Sequence, residues 1–252
     1  MCMLRKVGAL AALSLAAAAG TASAAEITVS AAASLSNAFR DIAQAYEQAH
    51  VGDKVLLNFG GSDALVQQIA KGAPVDVFAS ADQEAMDKAE NQKLLRLGSR
   101  ANFASNRVVL IVPASGGAEL HGLGDLTQPG VKRVTLGNPA SVPIGRYARQ
   151  ALEQTHLWPA VEAKAIYVTS VRQSLDYVAR GEADAGFVYA TDVAVQKDKV
   201  KVVAMVPTAT PVSYPIAATA GSAQAEAGRR FISFVQAAAG QAILAKYGFG
   251  RP

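Results

Sequence analysis

Cysteine is almost missing from this sequence, because Cys2 is the one cysteine among 252 residues. It lies in an N-terminal segment with a short positive stretch, Arg5-Lys6, an apolar run over residues 7–20 and the small residues Ala22-Ser23-Ala24. This order predicts a signal peptide at residues 1–24. An uncleaved anchor is the alternative, but the run is shorter than the roughly 20 apolar residues of a membrane span. Once Cys2 is removed, the chain contains neither disulfides nor thiolate metal sites.

Strong charge and further long apolar runs are also missing. Removing residues 1–24 from the 252 leaves 228 and lowers the formal charge from +4 to +2. No stripe of Lys and Arg alternates with aromatic residues, so we predict no nucleic-acid partner. No second apolar run approaches the length of a membrane span. We therefore expect a soluble protein exported to the periplasm, long enough for two small domains or one large one.

The sequence motifs of common hydrolases are missing as well. The three histidines, His50, His121 and His156, are scattered along the chain. There is no Gly-x-Ser-x-Gly motif and no metal-binding helix signature. A serine hydrolase that used Ser34 would need a nearby base, and none is evident in the sequence. We therefore predict a protein that is not an enzyme, with no catalytic residue, no cofactor and no metal-cation site.

What the sequence does contain is a regular alternation of predicted strands and helices. The predicted strands are 27–30, 54–59, 75–79, 107–112, 133–137, 165–168, 185–189, 201–206 and 212–218. The predicted helices are 34–50, 62–72, 82–91, 145–155, 170–180, a short one from 191, 224–238 and 241–247. Such alternation predicts an α/β fold with mostly parallel sheets flanked by helices.

Two breaks in this alternation predict two lobes. The pattern fails at residues 97–106, and the two C-terminal helices have no strands of their own, so they must pack on an earlier sheet. We predict lobe 1 at residues 25–106 plus 213–252 and lobe 2 at residues 107–212. The chain would cross twice between them, at a hinge.

Uncharged hydrogen-bond donors recur where strands end and helices begin, which is where open α/β sheets bind ligands. Five candidates share this position: the hydroxyls of Ser34, Ser62 and Tyr189, and the backbone N–H groups of Ile144 and Val171. Each has a simpler structural role, because a serine can merely cap a helix and a tyrosine can belong to the core. Their recurrence in both predicted lobes favours a shared anion site at helix N-termini.

Four stretches of the chain carry a family resemblance: residues 27–35, 72–82, 137–145 and 247–249. Together they resemble the periplasmic molybdate-binding proteins of bacterial ABC importers. The resemblance implies a type II periplasmic-binding-protein fold and a monomer that captures molybdate or tungstate between its lobes. It also implies a membrane permease and an ATPase as partners. In that family the positions matching Ser34, Ser62, Ile144, Val171 and Tyr189 bind the oxyanion.

Three charged residues near these positions need separate treatment. Asp63 departs from the family pattern, and because its carboxylate would repel a dianion, we expect it to point to solvent. Arg172 and Arg146 are expected in surface or inter-lobe ion pairs rather than on the ligand. A receptor of the same fold for another tetrahedral oxyanion, sulfate or phosphate, remains the alternative.

Overall fold

The computed structural model of the chain describes residues 24–116 and 119–252. Apart from Ala24, the predicted signal peptide lies outside the described residues. Within the described ranges, no helix is both long enough and apolar enough to span a bilayer.

Strands and helices alternate along the described chain. The strands β1 to β10 are Glu26–Ala32, Lys54–Gly60, Val77–Ala79, Ala101–Asn106, Val108–Pro113, Val134–Gly137, Ala165–Val168, Ala185–Tyr189, Val200–Val206 and Val212–Ala218. The helices α1 to α9 are Ser36–Ala49, Ser62–Ala70, Gln83–Asn91, Pro143–Gln154, Trp158–Glu162, Val171–Ala179, Ala190–Val193, Ala225–Gln236 and Ala238–Lys246.

The strands form two five-stranded sheets. The first sheet has the order β2-β1-β3-β10-β4 and the second has the order β7-β6-β8-β5-β9. In each sheet four strands run in one direction and one is reversed, β10 in the first and β5 in the second. Helices pack against both sheets. The predicted α/β architecture of two mostly parallel sheets is confirmed.

The chain passes twice between the two sheets. It leaves the first sheet at Asn106, the last residue of β4, and returns from Val206 in β9 to Val212 in β10. Because β10 pairs antiparallel with β4, Val212 lies directly opposite Asn106. The two connections therefore lie side by side.

Helix α1 is amphipathic, and its buried face joins the C-terminal helices to the first sheet. Phe39 and Tyr46 of α1 contact Phe231 of α8, with ring centroids 6.2 and 5.3 Å apart. These aromatic rings are fully buried. The C-terminal helices thus pack on an earlier sheet, as their lack of following strands predicted.

Two predicted boundaries differ from the structure around the first helix. Strand β1 does not end at Ser30 but continues to Ala32, because Ala31 and Ala32 pair with Phe59 and Gly60 of β2. The chain then forms a 3-10 turn, Ala33–Leu35, before α1 begins.

Strand β4 was missed because its partners are remote in sequence. Its residues, Ala-Asn-Phe-Ala-Ser-Asn, have a weak intrinsic preference for strands. They are held by antiparallel pairing with β10, more than 100 residues later, and Ser105 also pairs with Gly250. No local pattern in the sequence contains that information.

Candidate functional site

A small cavity of about 10 Å³, with room for about one water molecule, lies between the two sheets, beyond the carboxyl ends of their strands. It is lined by Ala32, Ala33, Ser34, Gly60, Gly61, Ser62, Ala81, Val142, Pro143, Ile144, Val171 and Tyr189. All five predicted donor residues are in this set, and none of the described lining residues is charged. The cavity is therefore far smaller than the roughly 300–1,000 Å³ of sites for drug-sized ligands.

The prediction that Ser34 begins helix α1 was wrong. Ser34 lies inside the 3-10 turn that precedes the helix. Its side chain makes no capping hydrogen bond. Instead its Oγ lies 3.1 Å from the Oη of Tyr214, and both residues are buried. The hydroxyl is therefore held at the cavity by a tyrosine of β10 and not by its own helix.

Ser62 is the first residue of α2, and Gly61 occupies the N-cap position. Its Oγ accepts a hydrogen bond from the backbone N–H of Ala81 at 3.2 Å. A serine hydroxyl has one proton and two lone pairs. Because this contact uses a lone pair, the proton of Ser62 remains for another acceptor.

The second sheet contributes two helix N-termini to the cavity. Ile144 is the second residue of α4, behind Pro143, and Val171 is the first residue of α6. Backbone N–H groups in a first helical turn have no partner inside the helix. The predicted cap at Ser170 is confirmed, since its Oγ accepts from the N–H of Gln173 at 3.3 Å.

Tyr189 ends β8 and is 1% exposed. Its Oη donates across the cavity wall to the carbonyl oxygen of Ala81, at 3.5 Å. Burial raises the pKa of Tyr189 well above its ordinary value, so the hydroxyl keeps its proton at neutral pH. In this structure the one proton of Tyr189 is directed to Ala81, and the hydroxyl must rotate away from that carbonyl to donate to a ligand.

Arg146 of α4 joins the two sheets through buried carboxylates beside the cavity. Its Nη2 lies 2.8 Å from Asp63 Oδ2 and 2.6 Å from Asp82 Oδ2, and all three side chains are at most 13% exposed. Asp63 also pairs with Lys88 at 2.8 Å. Burial raises the pKa of Asp82, although Arg146 opposes that shift.

This arrangement overturns one expectation and supports another. The expectation that Asp63 points to solvent was wrong, because its carboxylate is enclosed between Arg146 and Lys88. Asp63 is also absent from the residues that line the cavity. Arg146 forms an ion pair between the two sheets, as expected.

Arg172 follows Val171 in α6 and contacts the backbone of Ser34. Its Nε lies 2.8 Å from Asp192 Oδ1, and its Nη groups donate to Asn37 Oδ1 at 2.9 Å and to the Ser34 carbonyl oxygen at 3.3 Å. The expected ion pair is present, and Arg172 does not line the cavity. Its charge is therefore matched by Asp192.

Asp192 should make stability depend on pH in an unusual direction. Burial raises its pKa from 3.8 to about 6, although Arg172 opposes the shift. The folded protein then holds this proton more tightly than the unfolded chain, so its contribution to the unfolding free energy falls as pH rises from about 4 to about 6. A shift of about two pH units corresponds to roughly 3 kcal/mol.

Urea unfolding of wild type and Asp192→Asn between pH 4 and pH 7 measures this contribution. We expect the difference in unfolding free energy, variant minus wild type, to become more positive with rising pH through that window. A difference that stays constant across the window contradicts the raised pKa.

Three residues that shape the site were not found from the sequence. Tyr214 contacts Ser34, Ala81 contacts Ser62, and Arg146 pairs with Asp63 beside Ser62, and each partner lies 19 or more positions away in the sequence. Arg146 was noted as a charge but not as a partner of Asp63. Tyr189, in contrast, could be found from the sequence, because it ends the predicted strand 185–189.

The chain matches the family profile of bacterial extracellular solute-binding proteins over residues 27–250. The molybdate-binding protein ModA of Mycobacterium tuberculosis H37Rv is 38% identical over 235 residues, covering 92% of this chain and 87% of the relative. ModA of Escherichia coli K12 is 35% identical over 230 residues, covering 89% of this chain and 88% of the relative.

Solved structures show the same relationship. The periplasmic molybdate-binding protein of Azotobacter vinelandii superposes with a TM-score of 0.78 at 25% identity, covering 90% of this chain and 99% of that one. The sulfate-binding protein SubI of Mycobacterium tuberculosis shares the fold, with a TM-score of 0.77 at 19% identity over 89% of this chain and 86% of that one. The architecture is that of type II periplasmic binding proteins. The chain belongs to the bacterial extracellular solute-binding proteins.

Proposed function

We propose that this protein captures molybdate in the cavity between its sheets and delivers it to an ABC importer. The observation that carries the proposal is the convergence of five uncharged donor residues, from both sheets, on one small cavity. The relatives named as molybdate-binding proteins support the same ligand. Tungstate, with the same charge and tetrahedral shape, is proposed as a second ligand.

The two sheets are proposed as the cores of two lobes that close on the ligand. Lobe 1 comprises residues 25–106 plus 213–252, and lobe 2 comprises residues 107–212. In this proposal the signal peptide, residues 1–24, is removed on export to the periplasm. The mature protein acts as a monomer, without a cofactor, and docks on a membrane permease driven by an ATPase.

Uncharged donors can supply enough free energy for tight binding. A hydrogen bond to a charged group contributes about 1.5–3 kcal/mol. Five such bonds give roughly 8–15 kcal/mol before the costs of closure and ordering. Sub-micromolar binding needs about 8 kcal/mol. The nearby arginines need not contribute, because Arg146 and Arg172 are already matched by carboxylates.

The donor set also favours a fully deprotonated oxyanion. Phosphate carries a proton near neutral pH and needs an acceptor, and Asp63 is the carboxylate next to Ser62 in the sequence. Asp63 is instead committed to Arg146 and Lys88. Phosphate is therefore disfavoured, whereas sulfate must be rejected by the size of the cavity.

A thermal-shift panel of molybdate, tungstate, sulfate, phosphate and chromate tests this function. A ligand at 100 times its Kd stabilises by about 2.7 kcal/mol, which for a chain of this size raises Tm by roughly 5–10 °C. We expect that rise with molybdate and tungstate and no rise with phosphate. A larger shift with sulfate or phosphate would replace the proposed ligand, and no shift with any anion would contradict an oxyanion receptor.

Removing either serine hydroxyl should weaken molybdate binding. Ser34→Ala and Ser62→Ala should each cost about 1–3 kcal/mol, measured by calorimetry, because each loses a bond to a charged ligand. The control is Ser222→Ala, whose hydroxyl donates to Asp76 at 2.6 Å away from the cavity. Wild-type affinity in both cavity variants would refute the site.

A further inference from the structure

A chain of hydrogen bonds leads from the first crossing between the sheets to Ser34. Asn106, the last residue of β4, donates from Nδ2 to Thr191 Oγ1 at 2.9 Å and to Tyr214 Oη at 3.3 Å. Its Oδ1 accepts from the N–H of Arg107 at 2.8 Å. Tyr214 Oη in turn lies 3.1 Å from Ser34 Oγ.

The Asn106 side-chain amide decides which groups donate and which accept along these hydrogen bonds. The Arg107 N–H requires an acceptor, which fixes Oδ1 of Asn106 on that side and leaves the NH₂ group facing Tyr214. An NH₂ group only donates, so Tyr214 Oη accepts from it. The Tyr214 proton is then directed to Ser34, the other described side chain within hydrogen-bond distance of its hydroxyl.

Burial keeps that proton in place. Tyr214 is fully buried among aromatic rings, with Tyr189 and Phe249 at centroid distances of 5.7 and 5.5 Å. Burial raises its pKa well above the ordinary value, so Tyr214 remains a donor. Since Ser34 Oγ accepts from Tyr214, the proton of Ser34 is available to the cavity.

We propose that Tyr214 and Asn106 are positioning residues that orient the Ser34 hydroxyl as a donor toward a bound oxyanion. The proposal rests on the proposed function and deepens it. Ser62 has the matching arrangement, because its Oγ accepts from the Ala81 N–H. Both serines thus have a lone pair occupied and a proton free, which favours a fully deprotonated oxyanion over one that must donate.

The hydrogen bonds from Asn106 to Ser34 also link ligand binding to the crossing between the proposed lobes. Asn106 lies at the first crossing, Tyr214 lies in β10 just after the second, and Thr191 belongs to proposed lobe 2. The orientation of Ser34 therefore depends on contacts that join both crossings to lobe 2.

A double-mutant cycle tests whether Tyr214 acts through Ser34. Tyr214→Phe keeps the buried ring, and we expect the molybdate Kd to rise about 3–10-fold. In the Ser34→Ala background, Tyr214→Phe should change the molybdate Kd little, because the Ser34 hydroxyl that Tyr214 orients is already gone. Added to Ser62→Ala, it should keep its full effect. Tyr247→Phe, which removes a hydroxyl bonded to Asp41 at 2.8 Å, should leave Kd unchanged.

Asn106→Asp should reverse the hydrogen bond between residue 106 and Tyr214. The carboxylate oxygen accepts the Tyr214 proton and so turns it away from Ser34. We expect a rise in Kd of at least about 10-fold in wild type and a smaller one in the Ser34→Ala background, where only the added charge acts. Equal effects in the two backgrounds, for either variant, overturn the positioning role. If wild type binds no molybdate, the proposed function itself has failed.

Discussion

Arg146→Met is expected to weaken molybdate binding by about 3–5 kcal/mol, because it leaves the buried Asp82 carboxylate without a cationic partner and Asp63 with Lys88 alone. In the structure Arg146 reaches from α4, in proposed lobe 2, to Asp63 and Asp82, in proposed lobe 1, and it is 13% exposed. When the lobes separate, water can hydrate these carboxylates. The cost should therefore fall mainly on closure and not on the folding of either lobe.

Calorimetry with molybdate and urea unfolding of the unliganded protein separate these two effects. We expect a large rise in Kd with little change in the unliganded free energy of unfolding. The control is Arg149→Met on the same helix, since its pair with Glu153 is exposed and screened by solvent. Equal losses in binding and in unliganded stability would show that the ion pair does not depend on closure.

A compensating variant sharpens this test. Asp82→Asn removes the carboxylate that Arg146→Met leaves without a cationic partner, whereas Asp63 keeps Lys88. Part of the lost affinity should return in the double variant, because a neutral amide costs less to bury than a charge.

Gly61→Ala should block closure while leaving the fold intact. A methyl group at position 61 would lie 2.7 Å from the Thr169 carbonyl oxygen and 3.1 Å from that of Ser141, both in proposed lobe 2. The backbone of Gly61, at φ −65° and ψ 138°, suits alanine without strain. The clash therefore arises only when the two lobes approach each other.

We expect Gly61→Ala to weaken molybdate binding by about 1–3 kcal/mol or more, since overpacking against backbone atoms cannot be relieved by rotating a side chain. The unliganded protein should be as stable as wild type or about 0.4–1 kcal/mol more stable. Gly124→Ala, where an added methyl meets nothing within 4 Å, is the control. Wild-type affinity in Gly61→Ala would mean that the lobes do not approach this closely around the ligand.

The donors could be predicted from the sequence because each is set by a local pattern. Ser62 follows two glycines, Ile144 follows the proline that starts α4, and Val171 follows the cap Ser170. Each pattern concerns a few consecutive residues at a strand end. Because ligands in open α/β sheets bind beyond the carboxyl ends of the strands, these positions could be predicted to share one site.

The residues that hold the donors could not be predicted, because their contacts span the whole chain. Tyr214 lies 180 positions from Ser34, and Arg146 lies 83 positions from Asp63. The error at Asp63 has the same origin. Its place in the first turn of α2 indicated a favourable position on the helix, but only the folded chain brings Arg146 to it.

The pairing of Asn106 with Val212 means that residues 107–211, which contain the second sheet, depart from and return to neighbouring strands of the first sheet. Strands β4 and β10, which flank the inserted residues, are antiparallel neighbours, so the insertion begins and ends at adjacent points. Domains whose termini lie close together tolerate excision, exchange and circular permutation. If the proposed lobes are correct, this edge is the site at which a different second lobe or a reporter of closure can be inserted.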